Sequence, residues 1–128
     1  MIRGIGVDIV KLSRIQQILE KPPIALRFAT RIFSPSEHSF FKSLSSTRQV
    51  EFFGGRWAVK ESLVKALSDK QLHFPSISVM SDENGKPRIE LLGELGRRDD
   101  LRGLGFEVSI SHSDEQAIAF VVAFSKQI

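Results

Sequence analysis

The first ten residues alternate between large apolar positions and small or polar ones, a period of two that predicts a β-strand. Three apolar side chains fall on one side of this strand, namely Ile5, Val7 and Ile9. The opposite side holds Gly4, Gly6 and Asp8. Because two glycines remove side-chain bulk beside the carboxylate, that side leaves room for a packed element or a ligand.

Apolar residues at helical spacing predict three helices in the next part of the chain. The first runs over about 11–20 and ends at Pro22-Pro23, since proline cannot continue a helix. The second follows Ser34-Pro35-Ser36-Glu37, which has the order of a capping box with proline at the first helical position. It should bury Phe40, Phe41 and Leu44. The third and longest is predicted over about 48–69.

The second half returns to a period of two, which predicts strands over 75–81, 87–92, 106–112 and 117–125. Asn84-Gly85 between the first two is a strong hairpin signal, and Ser113-Asp114-Glu115 separates the last two. The arginine-rich segment 93–104 is predicted as a short helix or loop. One strand, three helices and four strands indicate a single α+β domain over residues 1–128, with a mainly antiparallel sheet packed on the long helix.

The composition is typical of a folded soluble protein: 41% of the 128 residues are hydrophobic and 26% are charged. The absence of cysteine excludes disulfides, thiolate metal sites and cysteine nucleophiles. No apolar run approaches the roughly 20 residues that cross a bilayer. We therefore expect a soluble intracellular protein, cytoplasmic in a bacterium or mitochondrial in a eukaryote, with no membrane partner.

Positive charge is concentrated near the N-terminus. Residues 1–32 hold six basic and two acidic side chains, a net charge of +4 against +3 for the whole chain. A basic patch of this kind can steer an acidic partner, although a solvated surface without a partner has the same composition.

The long helix carries two distinct faces. Its apolar face, which should meet the sheet, contains Phe52, Val59, Leu63, Ala66 and Leu67. Trp57, Glu61 and Lys65 lie four residues apart on the nearly opposite side, with Lys60 and Gly54 close to them. A carboxylate between two ammonium groups suits a site that holds a metal and a polyphosphate together.

Each of these residues also has an ordinary structural explanation. Glu61 and Lys65 form an i,i+4 pair worth about 0.2–0.5 kcal/mol on any helix surface. An Asp at the end of a strand, such as Asp8, often caps a helix or forms a turn. Trp57 needs a covering layer, which core packing or a subunit contact would supply. Asp8 and Glu61 together would nevertheless offer hard oxygen ligands for Mg²⁺ beside a phosphate.

Two motifs, GVD at 6–8 and WAVKESLVK at 57–65, resemble the paired signature of the holo-acyl-carrier-protein synthases, G-[VI]-D and W-x-x-K-E-[AS]-x-x-K. This family is the short branch of the 4′-phosphopantetheinyl transferases. Further similar segments follow the same order, at 27–33, 84–87 and 108–113. The resemblance implies an enzyme that moves the 4′-phosphopantetheine group of coenzyme A to a serine of apo acyl carrier protein, releasing 3′,5′-ADP.

The resemblance also implies site residues. Asp8 and Glu61 would hold Mg²⁺ with the pyrophosphate of coenzyme A, and Lys65 would stabilise the leaving phosphate. Arg56 and Lys60 would contact coenzyme A phosphates. The remaining residues expected to line the coenzyme A cleft are Gly85, Lys86, Pro87, Ser111 and His112. Glu61 and Lys65 are thus the predicted catalytic residues, while either Glu61 or a metal-bound water would accept the serine proton.

The same resemblance gives the basic N-terminal region a partner. Acyl carrier proteins are acidic helical bundles, so Arg14, Arg27 and Arg31 are the predicted docking residues. Relatives of this length look like trimers, and a shared active site between subunits is reasonable for a chain with little concavity of its own. We therefore expect a homotrimer.

Two other functions were weighed. A metal-dependent nuclease of the E-x-K type holds its Glu and Lys two apart on a strand, whereas Glu61 and Lys65 are four apart on a helix. A non-enzymatic module for nucleic acid or another polyanion would need basic residues interleaved with exposed aromatics. The chain has no tyrosine and most of its phenylalanines fall at core positions, so we expect no nucleic-acid partner.

Overall fold

The computed structural model describes residues 1–126. The chain starts with strand β1 (Ile2–Lys11) and continues into four helices, α1 (Leu12–Leu19), α2 (Pro22–Ile32), α3 (Pro35–Lys42) and α4 (Ser46–Leu67). A short 3-10 turn, Phe74–Ser76, leads to the remaining elements, which are β2 (Ile77–Ser81), β3 (Pro87–Leu91), α5 (Gly93–Arg97), α6 (Asp99–Arg102), β4 (Leu104–His112) and β5 (Gln116–Ser125). The predicted α+β class is confirmed.

The strands form two antiparallel sheets. β5 is the central strand of a three-stranded sheet with the order β1-β5-β4, and β2 and β3 form a separate hairpin. In the larger sheet Asp8 of β1 is level with Ala119 of β5, and His112 of β4 is level with Ala117. The predicted hairpin at Asn84-Gly85 is confirmed, with Ser81 paired to Pro87.

The long helix α4 lies directly against β1, and two glycines make this possible. A Cβ atom at Gly6 would lie 1.8 Å from the carbonyl oxygen of Ser62, and one at Gly4 would lie 1.8 Å from that of Ala66. No side chain fits at such distances, so the glycine face predicted from the sequence is the face that receives α4. Asp8 follows on the same side of the strand.

The outer face of the larger sheet is apolar and open. Its exposed side chains are Ile5 (56%), Val7 (39%), Ile9 (55%), Ile118 (37%) and Phe120 (48%). They adjoin one another, because Val7 is level with Phe120 and Ile9 with Ile118. Such a patch on a soluble protein typically marks an interaction surface.

The helices differ from the prediction in two places. Pro22 begins helix α2, which the sequence analysis missed, because proline is tolerated in the first turn of a helix as well as beyond its end. The capping box of α3 is confirmed, since Ser34 Oγ accepts from the Glu37 amide (3.3 Å) and Glu37 Oε1 accepts from the Ser34 amide (2.8 Å). Phe40, however, was predicted to be buried and is 41% exposed. Glu37 is instead the buried residue of α3.

Segment 93–104 contains the two short helices α5 and α6 and then enters β4. Arg98 between these helices donates to Asp69 (2.9 Å) and Asp100 (2.7 Å), which ties the segment to the end of α4. Across residues 1–126, every helix is too short or too polar to traverse a lipid bilayer.

Candidate active site

An aspartate and a lysine that are distant in sequence meet where β1 crosses α4. The ammonium of Lys65 donates to Asp8 Oδ1 (3.1 Å) and to the carbonyl oxygen of Val7 (2.9 Å). The glycines before Asp8 bring the strand close enough to the helix for this contact. Lys65 keeps 54% of its side-chain surface exposed, so the pair is open to a ligand.

Glu61 lies one helical turn before Lys65 on the same side of α4. Residues at this spacing have Cβ atoms about 5–6 Å apart, so Glu61 and Lys65 are neighbours on the helix surface, and Lys65 in turn contacts Asp8. Trp57 Nε1, one helical turn earlier, donates to Glu61 Oε1 (3.2 Å). The structure therefore brings Asp8, Glu61 and Lys65 onto one surface.

Trp57 is covered by residues of the chain itself. Its ring centroid lies 6.0 Å from that of Phe28 on α2 and 6.2 Å from that of Phe53. The guanidinium of Arg14 on α1 lies 5.4 Å from the centroid. Core packing thus accounts for much of the cover that the sequence analysis required for this ring.

A cleft of about 680 Å³ opens beside Glu61 and Lys65. Its floor is apolar and includes Val64, Leu72 and Phe74, while Arg31 and Lys70 add positive charge. The cleft can therefore hold a ligand with an apolar part and an anionic end. Arg31, predicted as a docking residue, lines this cleft, whereas Arg14 and Arg27 are exposed on α1 and α2.

Arg56 lies on another side of α4 and is held against β2. Its Nε donates to the carbonyl oxygen of Val79 (3.0 Å), and its guanidinium lies 4.2 Å from the ring centroid of Phe52. Burial lowers the pKa of Arg56 from its ordinary value, and the nearby Glu37 carboxylate partly opposes this shift.

The placement predicted for Lys60 is wrong. Its side chain is fully buried, and its ammonium donates to Glu37 Oε1 (2.6 Å) and to the carbonyl oxygens of Ile32 (2.6 Å) and Phe74 (3.0 Å). An ammonium has three donors, so none is left for a phosphate of coenzyme A. Burial is the largest influence on Lys60 and lowers its pKa, although Glu37 opposes the shift.

Glu37 is the residue that sequence analysis missed. Besides Lys60, its carboxylate accepts the amide hydrogens of Ser34 (2.8 Å) and Val79 (2.7 Å), so it links α3, α4 and β2. The capping box predicted that Glu37 caps α3. It gave no indication that the same carboxylate also binds Lys60 and the Val79 amide. Helical spacing gave no sign that the partner of Lys60 lies 23 residues earlier.

The hairpin residues predicted to line the coenzyme A cleft, 85–87, lie at the β2–β3 turn. Gly85 has φ of +81°, a conformation that glycine adopts without strain. The pKa of Asp82 is lowered, chiefly because its carboxylate accepts the backbone N–H of Lys86. Lys86 forms an ion pair with Glu107 of β4 (2.7 Å), and Pro87 begins β3.

Ser111 and His112 are exposed at the end of β4. His112 Nδ1 lies 3.3 Å from Glu51 Oε2, on the first half of α4. Within residues 1–126 no hydrogen bond or ion pair joins these two residues, or the hairpin residues 85–87, to Asp8, Glu61 or Lys65. The structure thus presents the predicted site residues as separate groups of the same chain.

Asp8 and Glu61 fit a cation that takes most of its ligands from elsewhere. No cluster of three or more His, Cys, Asp or Glu side chains suited to a metal occurs within residues 1–126. Two carboxylates on an open surface match Mg²⁺, which keeps several waters and binds substrate phosphates.

Comparison with known proteins places the chain in a family. Residues 4–122 match the family model of the 4'-phosphopantetheinyl transferase superfamily. A holo-[acyl-carrier-protein] synthase of Geobacillus kaustophilus is 44% identical over 125 residues, which are 95% of this chain and 88% of that protein. One of Anoxybacillus flavithermus is 42% identical over 125 residues and covers 95% of both chains.

Solved structures agree with the sequence comparison. The holo-(acyl-carrier-protein) synthase of Bacillus anthracis in complex with CoA (3',5'-ADP) superposes with a TM-score of 0.82 at 36% identity, covering 98% of this chain and 99% of that one. The enzyme from Neisseria meningitidis gives a TM-score of 0.86 at 32% identity, covering 98% and 100%. The resemblance found in the two motifs is confirmed: the chain is an enzyme of the 4′-phosphopantetheinyl transferase superfamily and belongs to its holo-[acyl-carrier-protein] synthases.

Proposed function

We propose that this enzyme transfers the 4′-phosphopantetheine group of coenzyme A to a serine of apo acyl carrier protein, in a reaction that requires Mg²⁺. The observation that carries the proposal is the contact between Lys65 and Asp8, one helical turn from Glu61. Two carboxylates and an ammonium on one open surface are the groups that phosphoryl transfer needs. The relative from Bacillus anthracis, solved with CoA (3',5'-ADP), supports the choice of donor.

In the proposed reaction the serine oxygen of the carrier attacks the phosphorus that bears the pantetheine. The bond from this phosphorus to the bridging oxygen of the pyrophosphate breaks, and 3′,5′-ADP leaves with the electron pair. The serine proton passes to the Glu61 carboxylate or to solvent. When bound by Asp8 and Glu61, Mg²⁺ would act as a Lewis acid on the phosphate oxygens.

Lys65 has two tasks in this scheme. Its bond to Asp8 fixes the side chain of the strand residue before the substrate binds. Its exposed ammonium also places a positive charge where negative charge develops on the leaving phosphate, which is the main way that enzymes accelerate such transfers. The adjoining cleft, with apolar side chains and Arg31 in its lining, is proposed to take the pantetheine arm.

The carrier protein is proposed to dock on the basic α1–α2 region through Arg14 and Arg27. Both side chains are exposed, and Arg14 lies against Trp57, which contacts Glu61. The acidic surface of the carrier would speed the encounter through long-range attraction.

We also propose a homotrimer with active sites between subunits. The apolar outer face of the β1-β5-β4 sheet supports this, since five exposed apolar side chains would otherwise contact water. A shared site would also account for the separation of residues 85–87, Ser111 and His112 from Asp8 and Glu61. These groups of one subunit would complete the coenzyme A cleft of another.

The mass of an apo carrier protein tests the proposed reaction. Incubation with this enzyme, coenzyme A and Mg²⁺ should add one phosphopantetheine to the carrier, and a chelator should prevent the addition. A carrier that a known synthase modifies serves as the positive control. If that carrier keeps its apo mass with this enzyme, the proposed function is wrong.

A further inference from the structure

The side chain of Trp57 joins a residue proposed to dock the carrier to a residue proposed to bind the cation. Arg14 lies over the ring at 5.4 Å, and the indole N–H donates to Glu61 Oε1 at 3.2 Å. The indole has a single N–H donor, and this donor is directed at the carboxylate. Trp57 is therefore more than a filler of apolar space.

The ring of Trp57 is held from several directions. Phe28 of α2 and Phe53 of α4 pack against it with centroid distances of 6.0 and 6.2 Å, and Arg14 of α1 covers it. Because these contacts come from three different helices, the ring has little freedom to turn. The direction of its N–H group is fixed by packing that does not involve Glu61.

The Glu61 side chain, by contrast, has few other restraints. It is half-buried, and within residues 1–126 Trp57 Nε1 is the partner that the structure shows for its carboxylate. A glutamate has three side-chain torsions, so an unrestrained carboxylate loses conformational entropy whenever it binds a cation. A donor on Oε1 removes part of that cost in advance.

We propose that Trp57 is a positioning residue, whose indole N–H orients the Glu61 carboxylate for the cation. This inference rests on the proposed function only in taking Asp8 and Glu61 as the cation ligands. Hydrogen-bond partners of metal ligands typically contribute 10- to 100-fold to metal affinity or activity. We expect the lower end of this range, because the bond spans 3.2 Å and the site is partly open.

The variant Trp57→Phe tests the role of the N–H, since phenylalanine keeps an aromatic ring but has no donor. Calorimetric titration with Mn²⁺ in the presence of 3′,5′-ADP should give a cation dissociation constant about 10-fold higher than that of the wild type. The Mg²⁺ concentration for half-maximal transfer should rise by a similar factor. The KM for the carrier should stay within about twofold, because the charges proposed to dock it are unchanged.

Phe28→Leu is the matched control. It weakens packing on the same ring but leaves the N–H and its other supports, Phe53 and Arg14, in place. Its cation affinity should remain within about twofold of the wild type. The proposal is wrong if Trp57→Phe also stays within twofold, or if Phe28→Leu weakens cation binding as much as Trp57→Phe does.

A second measurement follows the emission of the wild-type chain, with Glu61→Gln as its control. Trp57 is the single tryptophan and the chain has no tyrosine, so the emission of the protein reports on this ring alone. Addition of Mg²⁺ with 3′,5′-ADP should shift that emission, and Glu61→Gln should abolish the shift. Unchanged emission, at concentrations where calorimetry shows binding, would contradict the proposal.

These experiments separate the two proposals. Cation binding and emission require no carrier protein and no transfer. If the wild type binds the cation and Trp57→Phe weakens binding, the inference holds even when no phosphopantetheine reaches the carrier. If the wild type transfers the group but Trp57→Phe leaves the cation affinity unchanged, the proposed function holds and the role of Trp57 falls.

Discussion

The ammonium of Lys65 lies 3.1 Å from Oδ1 of Asp8, although 57 residues separate them in the chain. Gly4 and Gly6 make this contact possible by allowing β1 to lie on the backbone of α4. More than half of the Lys65 side-chain surface is exposed. An exposed ion pair of this kind contributes about 0.2–1 kcal/mol to the free energy of unfolding. Its value lies in placing charge.

Replacement of Lys65 by methionine should therefore separate activity from stability. Removing one group that stabilises transition-state charge typically lowers kcat by about 100-fold or more. The free energy of unfolding in urea should change by no more than about 1 kcal/mol. Lys42→Met, at the exposed end of α3, is the matched control and should leave both quantities unchanged. Wild-type kcat in Lys65→Met would remove Lys65 from the mechanism.

Charge reversal at Arg14 should affect the carrier and spare coenzyme A. In Arg14→Glu the KM for the carrier should rise about tenfold, because attraction to an acidic partner becomes repulsion. The KM for coenzyme A should stay within twofold, since Phe28 and Phe53 still hold the ring of Trp57. Steady-state kinetics with each substrate varied in turn measures both constants. Arg97→Glu on α5 controls for net charge, and unchanged carrier kinetics in Arg14→Glu would exclude Arg14 from docking.

The exposed apolar sheet face predicts how the protein assembles. Phe120→Asp places a charge in this face, so the proposed trimer should sediment as monomers and lose transfer activity. Ser109 is level with Phe120 on the neighbouring strand but belongs to the polar part of the sheet. The fraction of trimer in sedimentation should therefore be far higher for Ser109→Asp than for Phe120→Asp. A wild-type protein that sediments as a monomer would contradict the proposed shared site.

The buried pair of Lys60 and Glu37 should govern stability instead of ligand binding. Removing one partner of a buried pair typically costs about 3–5 kcal/mol, because the other charge is left unpaired. Lys60→Met should lose about this much free energy of unfolding, measured with urea. The double variant Lys60→Met/Glu37→Gln should recover part of the loss, since no charge remains buried. An unchanged stability together with a raised KM for coenzyme A would restore the original role predicted for Lys60.

The features that the sequence predicted correctly depend on neighbours in the chain. The capping box at Ser34 and Glu37 and the Asn84-Gly85 hairpin are local patterns, and both are confirmed. The glycines of β1 predicted room for a packed element or a ligand, and the structure fills that room with α4. These local signals, with two motifs of fixed spacing, were enough to indicate the fold class and the family.

The features that the sequence did not predict depend on contacts between distant elements. Helix α2 was missed because proline has the same local meaning at a helix end and at a helix start. The burial of Lys60 was not predicted, because helical spacing does not reveal a buried acid from α3. The contact of Arg14 with Trp57 likewise requires α1 to cross α4, which no periodicity encodes. The chemistry of single residues was easier to infer than their partners.

Asp8 and Glu61 are proposed to share one divalent cation beside Lys65. Crystals of the enzyme grown with Mn²⁺ and 3′,5′-ADP would test this directly through the anomalous scattering of the metal. We expect one strong anomalous peak within coordination distance, about 2.0–2.4 Å, of a carboxylate oxygen from each residue. A peak that touches neither carboxylate, with the nucleotide bound elsewhere on the chain, would contradict it.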